Sequence, residues 1–258
     1  MWRWRSSTKK DDFPSYSLLK AVPCRGLPQK LADRENSAEY REGRDRIESD
    51  LFAHACDESM SGFATFLKAG DGLLQLQLPD FSGGCLLVFS TVLRAADYAR
   101  VQAPEKKFEY FCSSPEQVVS VVAHFREHAA VSHVALDRCP RCNVFAALNA
   151  PALDSSTKVV HAWKISQATE IARCNLYLDY AQTAARAGQF LVARDVALEL
   201  VGHVTVEDPR VHLLLGKLAI ALGDKSLLQQ AQSFLTFLRQ TAAVEELQDA
   251  KKRKRAQF

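Results

Sequence analysis

Beyond Trp163 the chain carries no strand signal, and that change of period constrains the fold more than any other feature. Residues 168–240 divide into four apolar-periodic stretches, 169–187, 190–203, 209–222 and 226–240, separated by Gly188, by residues 205–208 and by Gly223-Asp224. Two helical pairs invite a search for a repeat. Placing Gly188 on Gly223 gives a period of 35 residues, which pairs Tyr180 with Leu215, Ala181 with Gly216, Ala184 with Ala219 and Ala193 with Leu228. Small residues therefore recur where paired helices must approach closely.

Before Trp163 the pattern differs. Leu51, Phe52, Ala55, Phe63, Phe66 and Leu67 fall at helical spacing, with Gly70-Asp71-Gly72 as the stop. Leu74, Leu76 and Leu78 alternate with glutamines, as in a half-buried strand, and Cys85-Leu86-Leu87-Val88-Phe89 is apolar throughout, as in a central one. A helix from Thr91 to Arg100, a strand at 108–112, a helix at 115–128 and a strand at 132–136 follow, with weaker strands at 144–148 and 158–163. Ser114, Pro115 and Gln117 form a capping box with proline at the first helical position. The alternation predicts an α/β region over residues 50–163 with a small mixed sheet. The chain as a whole is thus expected to be α+β, with an all-α helical-repeat region at 168–240.

The helical part resembles the tetratricopeptide repeat. A small residue (Ala181, Gly216) stands seven before a turn glycine (Gly188, Gly223), followed by Phe190, Ala193, Ala197 and Leu200, with Pro209 opening the next unit. Lys225 and Gln232 depart from that pattern, and residues 205–208 lengthen the inter-repeat turn. The earlier part resembles the N-terminal domain of SseB-type (enhanced serine sensitivity) proteins, through LLVFSTVLRAADYAR at 86–100, SSPEQVVSVVAHF at 113–125 and VSHVALDRC at 131–139. That resemblance implies no agreed catalytic residues and points to protein–protein or regulatory roles. Arrays of helical pairs stack into a groove, so the first helix of each pair is expected to supply partner-binding residues: Tyr177, Tyr180, Ala184, His212 and Lys217.

The net charge of +3 is unevenly spread: residues 1–30 and 251–255 each carry +5, leaving −7 on residues 31–250. A nucleic-acid-binding fold shows its basic footprint on the fold itself, so no specific nucleic-acid partner is expected. Residues 1–48 are polar and basic and read as a disordered leader; residues 249–258 read as a basic tail after a helix ending near Gln248. No run is apolar and long enough for a membrane span, and the seven cysteines with no secretory signal suggest a reducing cytoplasmic setting.

Phosphate-loop, dinucleotide, nucleophile-elbow and metalloprotease motifs are absent, and the chain is read as a non-enzyme without a cofactor. The competing reading centres on Cys139-Pro140-Arg141-Cys142, a C-x-x-C turn able to hold zinc or form a redox disulfide. His124 and His128 could complete a zinc site, and His133 could substitute for one of them. However, the wheel built on Val118, Val122, Phe125 and Ala129 turns His128 about 90° and His124 about 130° away from the buried stripe, at about 100° per residue.

Overall fold

Among the described residues Ser17–Lys20 form a single 3-10 turn, followed by the helices Gln29–Glu35 (α1) and Ala38–Ala53 (α2). These come from a computed structural model that describes residues 13–20, 29–53, 63–70, 72–77, 82–102, 104–141, 145–203 and 207–256. The protein is α+β, with small mixed sheets and a helical C-terminal region. Two compact units divide the described residues. Asp45–Thr169 form the core of the first, and Pro14–Arg44 with Glu170–Phe258 form the second.

In the first unit, β1 (Ala64–Ala69) pairs antiparallel with β2 (Gly72–Leu73) and, on its other edge, with a strand at Glu109–Ser113. A four-stranded sheet runs in the order β3 (Gln75–Gln77), β4 (Gly84–Val88), then strands at Val131–Leu136 and Ala146–Asn149. Helix α3 (Val92–Gln102) follows β4. The Glu109–Ser113 strand is β5, and α4 (Pro115–Ala129) leads into β6 (Val131–Leu136), which lies parallel to β4; β7 (Ala146–Asn149) closes the edge. Thr65 and Phe89 exchange backbone hydrogen bonds of 2.6 and 2.8 Å, which join the two sheets.

Side-chain alternation along β4 explains its unbroken apolar sequence. Leu86 and Val88 enter one core with Phe66, Phe111, Val118, Val122 and Trp163. Cys85, Leu87 and Phe89 enter the opposite core with Ala95, Ala96, Tyr98 and Ala99 of α3. A strand covered on both faces has no polar side to display.

The capping box at α4 forms as the sequence predicts. Ser114 Oγ accepts from the Gln117 amide at 3.4 Å, and Gln117 Oε1 accepts from the Ser114 amide at 2.9 Å. Ser114→Ala is expected to lower stability by about 0.5–2 kcal/mol, read as an earlier denaturant midpoint; an unchanged midpoint would show the cap to be dispensable.

Three expectations give way. Phe63, Phe66 and Leu67 do not continue a helix, because Ala64–Ala69 is a strand whose neighbours Phe66 and Leu67 point into opposite cores. Residues 158–163 are not a strand either. They lie inside α5 (Ser156–Arg186), where Val159 and Trp163, one helical turn apart, bury the same face. The stretch read as a disordered leader contributes α1, most of α2 and the buried side chains of Tyr16, Leu19 and Leu31; residues 1–12 and 21–28 lie outside the described residues.

The second unit is helical, with α6 (Phe190–His203), α7 (Pro209–Leu222), α8 (Lys225–Phe237) and α9 (Thr241–Ala256) following the latter part of α5. The basic run 251–255 thus lies within α9, which does not end near Gln248; residues 257–258 lie outside the described residues. The 35-residue spacing returns as repeated turn geometry. Gly188 and Gly223 hold φ of 74° and 73°. Gln189 donates to Ala184 O as Asp224 does to Ala219 O, both at 2.9 Å, and each glycine amide reaches the carbonyl three residues back. The left-handed conformation is one that glycine adopts without steric cost. Helix α7 packs on α6, α8 and α9, and Gly216 lets α9 approach so closely that a Cβ there would lie 2.4 Å from Leu247 Cδ1.

Candidate functional site

The residues expected to line a groove separate into two groups. Tyr177, Ala184 and His212 are buried, so they cannot offer side chains to an incoming partner; Tyr180 is half-buried and Lys217 is exposed. His212 is covered by the chain itself. Tyr16 Oη lies 2.7 Å from His212 Nδ1, and both rings stack on Phe234, with centroid distances of 4.7 Å for Tyr16 and 4.3 Å for His212. Burial pushes the Tyr16 phenol well above its ordinary value, and burial also raises that of Tyr177. Tyr177, Ala184 and His212 are small or aromatic side chains on the packed faces of α5 and α7, and Tyr180 and Lys217 stand outside those faces.

Lys217 instead belongs to an open groove on the opposite flank of α7. Phe190, Lys217, Ile220, Ala221, Glu246, Ala250, Arg253 and Lys254 line a depression of about 640 Å³. Lys217 Nζ lies 2.6 Å from Glu246 Oε1, an ion pair about half exposed on each side and therefore weakly held. Lys254 Nζ donates to the carbonyls of Ile220 and of Ala221, which ties α9 to the C-terminus of α7, where a cation meets the negative end of the helix dipole. The apolar anchor is the start of α6. Phe190, Leu191 and Val192 are 38%, 56% and 43% exposed, three consecutive large apolar residues left in water. A soluble fold avoids such a run unless something is to cover it.

In the sequence Phe190 stands in the repeat pattern and Arg253 and Lys254 in the basic run, while Leu191, Val192 and Glu246 are not singled out. The usable signal was the run Phe190-Leu191-Val192 directly after a turn. Helical periodicity predicts one buried face, and three adjacent apolar residues cannot all share it.

The residues of the competing zinc or thiol reading are not drawn together where they are described. Arg141 forms a bidentate pair with Asp97 of α3, at 2.8 and 3.0 Å, and Gln102 of α3 donates to Pro140 O at 2.5 Å. This ties the turn after Cys139 to α3. His124 and His128 stand on the exposed face of α4, which packs on the opposite face of the sheet. Their rings stack at 4.4 Å, and His128 Nδ1 reaches His124 O at 2.9 Å. His133 Nδ1 lies 2.9 Å from Ser132 Oγ. Cys139 is buried and accepts the Arg141 amide at 3.4 Å, while Cys142 lies outside the described residues. Among the described residues no group of three or more His, Cys, Asp or Glu side chains is placed to hold a metal ion. Burial pushes the Cys85 thiol up to about 11 and that of Cys174 higher still, so neither is a ready nucleophile.

Among the described residues the first unit carries a depression of about 470 Å³, lined mainly by apolar side chains including Phe52, Leu148, Leu153, Ala162 and Ile165, together with His161. No helix among the described residues is long and apolar enough to cross a membrane.

Comparison with known proteins returns no match to a family model, to a curated protein or to a solved structure. The tetratricopeptide and SseB-type resemblances therefore rest on the residues quoted for them.

Proposed function

We propose that the protein is a non-enzymatic cytoplasmic adaptor whose helical unit captures an acidic, apolar-anchored peptide or helix of a partner protein in the groove between α7 and α9. The observation that carries this reading is the exposed Phe190-Leu191-Val192 run, whose Phe190 lines the same depression as Lys217, Arg253 and Lys254, with Glu246 the one carboxylate among those lining residues. Between its two basic ends the chain is acidic, and the groove is where Lys217 of that acidic stretch stands beside Arg253 and Lys254 of the basic C-terminal run. An amphipathic partner segment would bury the apolar run and set its carboxylates against the basic rim.

The test is a labelled synthetic peptide of alternating glutamate and leucine turns, titrated against the full chain by fluorescence anisotropy. Binding is expected to weaken as salt rises, and to fall about tenfold or more in the Lys217→Glu, Arg253→Glu double variant. Phe190→Ala should weaken it without steepening the salt dependence. Equal binding of a lysine-leucine peptide would contradict the assignment.

A further inference from the structure

The seat that hides His212 is built like a ligand pocket. Tyr16 enters it with its ring stacked on Phe234 and its hydroxyl meeting a ring nitrogen at the bottom, and both Tyr16 and His212 are almost completely buried. Three residues on, Leu19 is the second buried anchor, and the 3-10 turn carrying it packs on α6. Between the anchors Ser17 is exposed and meets Gln230 of α8, whose Oε1 accepts from the Ser17 amide at 3.1 Å while its Nε2 donates to Ser17 Oγ at 2.9 Å. The segment is thus held as a short linear peptide is held, by two side-chain anchors and a few edge hydrogen bonds.

We propose that this seat on α6, α7 and α8 is a peptide-binding site closed in cis, with residues 14–20 as its displaceable occupant. The ligand it takes in trans is a linear segment with a tyrosine followed three residues later by an aliphatic side chain, the spacing of Tyr16 and Leu19. His212 is the specificity residue: a buried ring nitrogen hydrogen-bonded to a hydroxyl discriminates against phenylalanine, because the phenylalanine ring sets carbon where the hydroxyl stood. This site shares no lining residue with the α7–α9 groove, and the probe used below carries no acidic residue, so the two assignments fail independently.

The probe is a labelled peptide with the sequence of residues 13–20, FPSYSLLK, added to the full chain. In the Tyr16→Ala, Leu19→Ala double variant the cis segment is released, and the peptide is expected to bind about tenfold or more tighter than to the unaltered chain. A peptide with phenylalanine for tyrosine should bind about tenfold more weakly than the tyrosine form, and His212→Phe in the open variant should abolish that preference. A variant with an unaltered circular-dichroism spectrum that fails to bind the peptide, or that binds both peptides equally, overturns the proposal. If the double variant does not fold, hydrogen exchange on the unaltered chain decides. Excess peptide should accelerate exchange at residues 14–19, and unchanged exchange there overturns the proposal equally.

Discussion

Phe234→Ala is expected to cost the helical unit about 3–5 kcal/mol, read as a large drop in the denaturant midpoint of helical circular dichroism. Phe234 is 2% exposed and is the largest fully buried side chain of that unit. Its removal takes away the ring on which both Tyr16 and His212 stack, and leaves a cavity walled by a polar imidazole. The lost transfer energy, the cavity and the lost ring contacts all act in the same direction. Phe234→Leu, which keeps most of the volume, should cost clearly less. A change below about 1 kcal/mol for the alanine variant would mean that Phe234 and its packing on His212 do not hold the unit together.

Gly83→Ala should damage the first unit through backbone instead of side-chain packing. A Cβ on Gly83 would lie 2.5 Å from Ala130 O and 3.0 Å from Ser132 Cβ. That oxygen already accepts the Gly84 amide at 3.1 Å, at the point where the parallel β4–β6 ladder begins and shifts register. A backbone oxygen cannot rotate aside as a leucine methyl can, so β4 must move away from β6 and lose that hydrogen bond. The expected loss is about 2 kcal/mol or more, measured as the shift in equilibrium unfolding followed by tryptophan fluorescence, since Trp163 is packed in the adjoining core. A neutral substitution would show that the start of the ladder is not under this constraint.

These two positions also show where sequence reading succeeds and where it stops. The strand at 84–88, the capped helix after Ser114 and the paired turn glycines were legible because each obeys a local rule: an apolar run covered on both faces, a reciprocal cap, a left-handed turn. Phe63–Leu67 misled because in a strand buried on both faces adjacent apolar residues face opposite cores, and over a few residues that looks like helical spacing. Residues 14–20 misled for another reason. Tyr16 and Leu19 become core residues only by docking on helices some 200 positions later, as the 196-residue separation of the Tyr16–His212 hydrogen bond shows, and no local window contains that information. The same blindness placed His212 on a partner-facing surface and overlooked Arg253 and Lys254, which meet Lys217 only when α9 folds back along α7 through the opening at Gly216.

The measurement that tests the central claim most directly is the hydrogen-exchange footprint of the acidic amphipathic peptide on the full chain. The account predicts slowed exchange at the start of α6 around residues 190–194, at the end of α7 around 217–222 and along α9 at 246–254, with the sheets of the first unit unchanged. Binding that slows exchange elsewhere and leaves those three segments untouched would contradict it.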